Sequence, residues 1–182
     1  RQYPNGTGKI TISNVPIENI PMNTLQKWIG YVPQDHVLFS RTVKENILFG
    51  KSNGSEIELN KAIDLAFFRK DLELLPEGLN TLVGEKGVAL SGGQKQRISI
   101  ARALLINPEI LILDDALSAV DAKTETEIIN NIRGERFGKT TFITTHRLSA
   151  VEHADWIIVI DNGAIVEEGT HEQLLEQKGW YK

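Results

Sequence analysis

A chain of 182 residues, of which 41% are hydrophobic and 24% charged, has the composition of one globular domain and not of a disordered segment. Its 24 acidic residues outnumber its 20 lysines and arginines, and the net charge of −4 gives no reason to expect nucleic acid as a partner. Cysteine is absent, which excludes disulfides and thiolate metal sites. The longest apolar runs are too short to span a bilayer, so any membrane attachment must come from another domain or chain.

Short strands and turns are predicted for the N-terminal part. Asn5-Gly6 is a turn signal, and polar and apolar residues alternate over 9–15 as they do in a strand. Asn23 is placed to cap the short helix that follows, and residues 29–32 are predicted to form a buried strand. Because the chain opens at Arg1 without an initiator methionine, we expect it to be a fragment of a longer protein.

The middle of the chain is predicted to be helical. Two helices are expected over residues 43–49 and 56–68. The clearest helix covers residues 91–106, where apolar side chains recur at the spacing of one buried face. Asn107-Pro108 ends this helix, because proline cannot continue the hydrogen-bond ladder.

Strands and helices alternate beyond that proline. Strands are predicted over 110–113, 140–144, 156–160 and 165–168, and helices over 122–133, 148–152 and 171–177. Continuous apolar strands separated by helices indicate an α/β fold with a parallel sheet covered on both faces. We therefore predict a core made of residues 1–36 and 108–182, interrupted by a helical subdomain at 37–107.

The segment Ser91-Gly92-Gly93-Gln94 opens the clearest helix and has the features of an anion site. A serine and two glycines at a helix N-terminus present backbone N–H groups, and the helix dipole adds partial positive charge. The glycines also allow a phosphate to approach the backbone closely. The alternative is an ordinary serine-capped helix after a glycine turn.

Paired carboxylates follow the predicted strand at 110–113. Asp114 and Asp115 lie at the carboxyl end of this strand, which is the edge where open α/β sheets bind ligands. One carboxylate there would hold Mg²⁺ through water, and its neighbour would orient a nucleophile. The alternative is that both residues only cap the next turn.

Gln34 and His146 also follow predicted strands. A histidine at such a position is suited to contact a γ-phosphate, although a lone histidine is more often structural and a lone glutamine more often solvated. Gly138-Lys139-Thr140 resembles part of a phosphate-binding loop, but the first glycine of that motif would fall on Arg133, and a strand follows where the motif needs a helix. We find no such loop elsewhere in the chain.

In type, order and spacing these segments resemble the ATPase domains of ABC transporters. Leu90 to Gln94 resembles the signature loop, Ile110 to Asp114 the Walker B strand, Ser118 to Asp121 the D-loop, His146 the switch histidine and Gln34 the Q-loop glutamine. The resemblance implies a P-loop NTPase core with a parallel sheet, here incomplete, and an inserted α-helical subdomain. Residues 31–35, 45–47, 81–87 and 169–175 look most like multidrug-type exporter subunits.

The resemblance implies that two such domains, alike or different, close head to tail on two ATP molecules. Catalytic roles would fall to Asp115 and His146, while Asp114 and Gln34 would hold or sense Mg²⁺. The residues implied to contact nucleotide are Gln34, Ser91, Gly92, Gly93, Gln94 and Asp121. The partners implied are a second ATPase domain and a transmembrane domain, which places the protein at the cytoplasmic face of a membrane. The alternative is a soluble ABC ATPase of DNA repair or translation.

Two departures from the family pattern affect these expectations. The phosphate-binding loop would precede Arg1, so this chain alone is expected to bind ATP weakly and to be inactive. Asp115 stands where the family usually has glutamate, and its side chain is one methylene shorter. We therefore expect a slow, degenerate site, as in one subunit of a heterodimeric exporter, whose intact signature loop would complete the site of its partner.

Overall fold

The computed structural model describes residues 7–177 and 179–182. Its strands are β1 (Thr11–Ile12), β2 (Val15–Pro16), β3 (Ile29–Val32), β4 (Ile110–Asp114), β5 (Thr140–Thr144), β6 (Ile157–Asp161) and β7 (Ala164–Gly169). Its α-helices are α1 (Met22–Trp28), α2 (Val43–Leu48), α3 (Glu56–Leu65), α4 (Arg69–Leu74), α5 (Gly92–Leu105), α6 (Ala122–Glu135) and α7 (His171–Gln177). Short 3₁₀ helices cover Ile17–Asn19, Gly78–Asn80 and Leu148–Ala150. In this part of the chain, no helix combines the length and the apolar character needed to cross a bilayer.

A three-stranded parallel sheet forms the centre, in the order β3-β4-β5. The α/β class and the parallel sheet are thus as predicted. Val32, Leu111 and Leu113 are fully buried on one face, where α5 packs against β3. The prediction that both faces are covered is wrong for the described residues, because Tyr31 and Phe142 on the other face are 53% and 55% exposed.

Helix α5 is the most buried helix of the fold, and other helices from the middle of the chain pack on it. Both α2 and α3 contact α5, and Ile98, Ile100 and Ala101 are fully buried within it. Burying such apolar side chains is the main source of stability in a domain of this size. The main hydrophobic cluster includes residues of α2, α3 and α5 and of the sheet, so α5 connects the helices to the strands.

Three local predictions are wrong. The strand predicted at 9–15 is broken into β1 and β2 by a two-residue turn, in which Ser13 and Asn14 have φ values of 48° and 64°. Asn23 lies inside α1, whose N-cap is Pro21. The predicted helix 56–68 ends at Leu65, because Phe67 adopts φ of 53°, and the unpredicted α4 follows. The turn predicted at Asn5-Gly6 lies outside the described residues.

The C-terminal elements agree more closely with the sequence. β6 and β7 form the antiparallel hairpin predicted around Asn162-Gly163, and α7 covers its predicted residues. Ile157, Val159 and Leu174 form a second, small hydrophobic cluster between the hairpin and α7. The predicted helix at 148–152 is only the short 3₁₀ helix Leu148–Ala150. The positive φ values of Asn162 and Gly163, 48° and 78°, explain why this dipeptide closes the hairpin.

The capping box of α3 gives this fold a testable acid dependence. The pKa of Glu58 falls from its ordinary 4.5 to about 2, mainly because Lys51 donates a hydrogen bond to it, and also because Ser55 does. A carboxyl whose pKa is lowered by folding stabilises the folded state at any pH above its pKa in the unfolded state. This stabilisation is lost as the pH falls through its pKa in the folded state. We therefore expect the stability difference between the wild type and Glu58→Gln to be constant at neutral pH and to shrink from pH 4.5 towards about 2. Denaturant unfolding over this range measures it, and a difference independent of pH would contradict the assignment.

Candidate nucleotide site

The carboxyl ends of β3, β4 and β5 bring five polar side chains together. Asp114 ends β4 and accepts hydrogen bonds from the Tyr31 hydroxyl (3.0 Å) and the Thr144 hydroxyl (2.8 Å). Asp115 accepts one from the amide nitrogen of Gln34 (3.3 Å), and its own backbone N–H donates to the Thr144 hydroxyl (3.0 Å). The predicted residues Gln34, Asp114 and Asp115 therefore form one cluster at the sheet edge that the sequence indicated.

Two features of this edge hold the carboxylates in place. The hydrogen bond to Asp114 is the main cause that raises the pKa of Tyr31 above its ordinary value, so the hydroxyl keeps its proton and remains a donor. Asp115 has φ of 46°, in the left-handed region that aspartate tolerates better than most residues. The strand therefore stops at Asp114, and the chain turns sharply so that Asp115 faces Gln34.

The predicted anion segment forms a complete capping box at the start of α5. The Ser91 hydroxyl accepts from the Gln94 backbone N–H (3.2 Å), and the Gln94 amide oxygen accepts from the Ser91 N–H (2.9 Å). The Gln94 amide nitrogen donates to Asp71 on α4 (3.1 Å). The side chain of Gln94 is therefore engaged within the chain, and this helix start can offer an anion its backbone N–H groups and the Ser91 hydroxyl.

The two glycines of this segment have different neighbours. A Cβ at Gly93 would lie 2.9 Å from the backbone oxygen of Ala119, whereas a Cβ at Gly92 would lie 3.3 Å from the Ala119 Cβ. Gly93 is thus required by the close approach of residues 117–121, a segment that we call the 117–121 loop. Close contact with this loop is a packing reason for glycine that the sequence reasoning did not supply.

The pair Gly92 and Gly93 allows a matched test of this contact. Both glycines lie in the first turn of α5, so replacement by alanine gives each variant the same gain in helix propensity. We expect Gly93→Ala to lower the free energy of unfolding by about 1–3 kcal/mol through overpacking. Gly92→Ala should change it by less than about 1 kcal/mol. Equal effects in denaturant unfolding would show that the Ala119 oxygen does not limit the size of residue 93.

Asp121 and His146 complete the predicted residues. Asp121 caps α6 by accepting from Thr124, which lowers the pKa of Asp121, first through the Thr124 hydroxyl and then through its backbone N–H. His146 is exposed, two residues beyond the end of β5. Among the described residues, no hydrogen bond joins His146, Ser91 or Asp121 to the Asp114–Asp115 pair. The predicted residues thus form a cluster at the sheet edge, a capping box on α5 and two separate positions.

Comparison with known proteins identifies the arrangement. A sequence profile of the family described as "ABC transporter" matches residues 1–118. The chain belongs to the ABC transporter family. It is 70% identical over all 182 residues to the probable multidrug resistance ABC transporter ATP-binding/permease protein YheI of Bacillus subtilis, and 46% identical over 182 residues to the multidrug resistance-like ATP-binding protein MdlA of Escherichia coli. Each alignment covers 100% of this chain and only 31% of the relative, so the chain spans about a third of the length of these proteins.

The fold agrees with that of a solved ABC exporter. A bacterial Atm1-family ABC exporter with ATP bound superposes with a TM-score of 0.93 and 40% identity, over 100% of this chain and 32% of that one. The α/β class and the resemblance to ABC ATPase domains are thereby confirmed. None of these relatives is described as a protein of DNA repair or translation, so the soluble alternative receives no support from them.

The oxygen atoms at the sheet edge of this ABC domain suit a hard divalent cation. Mg²⁺ prefers carboxylate oxygens, usually keeps several waters and needs only one or two protein ligands beside the phosphates of its nucleotide. Each oxygen of Asp114 already accepts one hydrogen bond, and a carboxylate oxygen accepts a second without rearrangement. The described residues form no cluster of three or more histidine, aspartate or glutamate side chains of the kind that holds a metal by protein ligands alone.

Several residues at this site were not identified from the sequence. Tyr31 and Thr144 bind Asp114 from the two strands beside β4, and the register that pairs Asp114 with Thr144 is a property of the sheet. Arg147, Glu125 and Gln96 contact the 117–121 loop or its neighbours. The position of Arg147 directly after His146 was the only sequence signal for this group.

Proposed function

We propose that this chain is the ATP-binding and ATP-hydrolysing part of a multidrug-type ABC exporter. The observation that carries the proposal is the cluster of Gln34, Asp114 and Asp115 at the carboxyl edge of the parallel sheet, in a chain of this family. The names of the relatives, which include multidrug resistance ATP-binding/permease proteins, support the export of small molecules.

The residues of the sheet edge would divide the work of hydrolysis. Asp114, fixed by Tyr31 and Thr144, would hold Mg²⁺ through water, and Asp115 would orient the attacking water. Bound Mg²⁺ would neutralise charge that develops on the phosphates. Gln34 donates to Asp115 and so is placed to respond to metal and nucleotide, and the exposed His146 is free to contact the γ-phosphate.

The signature segment would act on the nucleotide of a second ATPase domain. Ser91, Gly92 and Gly93 present the N-terminus of the fourteen-residue helix α5, whose N–H groups and dipole favour the γ-phosphate of a facing ATP. The side chains of Gln94 and Asp121 are engaged in caps, so their contribution would be to hold the two segments that approach this phosphate. The proposed partner is a second such domain, arranged head to tail.

A transmembrane domain is the other proposed partner. The relatives are ATP-binding/permease proteins about three times as long as this chain, which supports a permease part in the same polypeptide. Segments 37–41 and 82–88 lie side by side, because Val83 N–H donates to the Arg41 oxygen. They expose the apolar side chains Val37, Phe39 and Leu82, a surface suited to a partner domain. The chain would then lie at the cytoplasmic face of the membrane.

Complementation between two variants tests both the chemistry and the arrangement. In the full-length gene product we expect Asp114→Asn to remove the metal-binding charge, and Ser91→Arg to block the signature helix, so each variant alone should lose most of its ATP turnover. In a head-to-tail dimer, mixed subunits contain one intact site, and random mixing should restore about a quarter of the wild-type turnover. Ser91→Ala at the same position is the milder control. No recovery on mixing would contradict the shared site, and wild-type turnover in Asp114→Asn would contradict the chemistry.

A further inference from the structure

Arg147 binds the backbone of the 117–121 loop at three points. Its Nη1 donates to the carbonyl oxygens of Val120 (2.9 Å) and Leu117 (3.5 Å), and its Nη2 donates to that of Ser118 (2.8 Å). A guanidinium is planar and carries five N–H donors in a fixed fork, so it can bind several carbonyls at once in a way that lysine cannot. Arg147 directly follows His146, and it therefore links the loop to the segment that carries the histidine.

A buried carboxylate orients this guanidinium. Glu125 on α6 has a side chain that is 1% exposed, and it accepts from Arg147 Nη1 (2.5 Å) and from the Ser149 hydroxyl (3.0 Å). A carboxylate that is shielded from solvent needs hydrogen-bond donors of this kind, because the free-energy cost of burying its charge is large. Glu125 thus holds both Arg147 and Ser149, and with them the 147–149 segment, against the first turns of α6.

Gln96 on α5 holds the same loop from the other side. This side chain is fully buried, and its amide nitrogen donates to the Ser118 hydroxyl (3.2 Å), while its oxygen accepts from the Ala119 N–H (3.0 Å). Ser118 in turn donates to the backbone oxygen of Asp115 (2.9 Å). The loop therefore lies between a side chain of the signature helix and a side chain that adjoins His146, and it is also bonded to Asp115.

We propose that Arg147 is a positioning residue, which couples the start of α5 to His146 through the 117–121 loop. A shift of α5 is passed to the loop by Gln96 and Gly93, and from the loop to the His146 segment by three carbonyl hydrogen bonds. Binding of a phosphate by Ser91 to Gly93 would in this way determine the positions of His146 and Asp115. The inference rests on the proposed function, and it adds to it the physical connection between the part of this chain that would contact the partner's ATP and the part that would act on its own.

Arg136 provides a matched control for a test of Arg147. It also donates to three carbonyls, those of Pro108 (2.8 Å), Thr140 (3.0 Å) and Glu109 (3.5 Å), and it is the more buried of the two arginines. These carbonyls lie at the amino ends of β4 and β5, at the opposite edge of the sheet from Asp114. Replacing either arginine with lysine keeps the charge and removes the fork.

The experiment compares Arg147→Lys with Arg136→Lys in the full-length gene product reconstituted in lipid vesicles. For Arg147→Lys we expect kcat for ATP to fall at least tenfold with KM within about threefold, because a positioning defect acts on the reacting geometry and not on binding. Amide exchange in peptides covering residues 115–121 should accelerate about tenfold or more. Arg136→Lys should leave kcat per folded molecule, and exchange at 115–121, within about twofold of the wild type.

Three results would overturn the inference. They are an unchanged kcat in Arg147→Lys, an equal loss of kcat in Arg136→Lys, and unchanged exchange at residues 115–121 in Arg147→Lys. If the wild type hydrolysed no ATP, either alone or mixed with a partner subunit, the proposed function would fail. The exchange comparison would then decide by itself whether Arg147 holds the loop, so the two failures are distinguishable.

Discussion

Replacing Asp115 with glutamate is expected to raise ATP turnover by the full-length gene product about tenfold to a hundredfold, since misplacement of a reacting group by about 1 Å can cost that much in rate. The carboxylate of Asp115 lies at the end of a short side chain and is bound by Gln34 at 3.3 Å. Glutamate would extend it by one methylene towards the space where the nucleotide is proposed to bind. The measurement is steady-state phosphate release by the two proteins under the same conditions.

Asp114→Glu is the matched control for this prediction. It lengthens the neighbouring carboxylate by the same methylene, but the oxygens of Asp114 are already bound by Tyr31 (3.0 Å) and Thr144 (2.8 Å). The longer side chain would move these oxygens away from Tyr31 and Thr144, and we therefore expect Asp114→Glu to lower ATP turnover. If Asp115→Glu left turnover unchanged and the wild type hydrolysed ATP rapidly by itself, Asp115 would be a competent base, and the proposal of a slow site in a heterodimer would be wrong.

Replacing Arg147 with methionine is expected to lower the free energy of unfolding by at most about 3–5 kcal/mol, the cost of leaving a buried carboxylate unpaired, since the Arg147 side chain itself is 38% exposed. Methionine keeps most of the volume of the arginine stem but leaves the Glu125 carboxylate buried, with Ser149 as its remaining side-chain partner. The three carbonyls of the 117–121 loop also lose their donor. Denaturant unfolding of both proteins measures the difference.

The double variant Glu125→Gln with Arg147→Met separates the buried charge from the lost hydrogen bonds. Because glutamine carries no charge, the double variant should be more stable than Arg147→Met alone. If the double variant were less stable than the wild type by the full sum of the two single effects, the two side chains would not interact energetically. In that case the short contact between them would carry no stability.

The sequence was a good guide where structure is local. Residues 140–144 form the predicted strand, and Ser91 caps the predicted helix, because periodicity and capping depend on neighbours within one turn or one strand. The strand predicted at 9–15 failed because Ser13 and Asn14 both adopt left-handed backbone angles, which alternation of polar and apolar residues does not reveal. Phe67 ends α3 early for the same reason.

The site was predictable in its residue types but not in its connections. The positions of Asp114 and Asp115 after an apolar strand were sufficient to place them at the sheet edge. The partners that fix them, Tyr31 and Thr144, are 83 and 30 residues away from Asp114, and only the register of the sheet brings them together. Gln94 was predicted to contact nucleotide, but its side chain is engaged by Ser91 and by Asp71, 23 residues earlier. Pairings over such distances leave no periodic signal in one sequence.

The chemistry of the sheet edge is tested by comparing ATP turnover of the full-length gene product with that of its Asp114→Asn variant in lipid vesicles. We expect Mg²⁺-dependent hydrolysis, by the protein alone or after mixing with a partner subunit. Asp114→Asn should reduce this hydrolysis at least a hundredfold without unfolding the domain, as expected when a group that orders the reacting centre is removed. Hydrolysis that persists in Asp114→Asn, or that needs no divalent cation, would contradict the account.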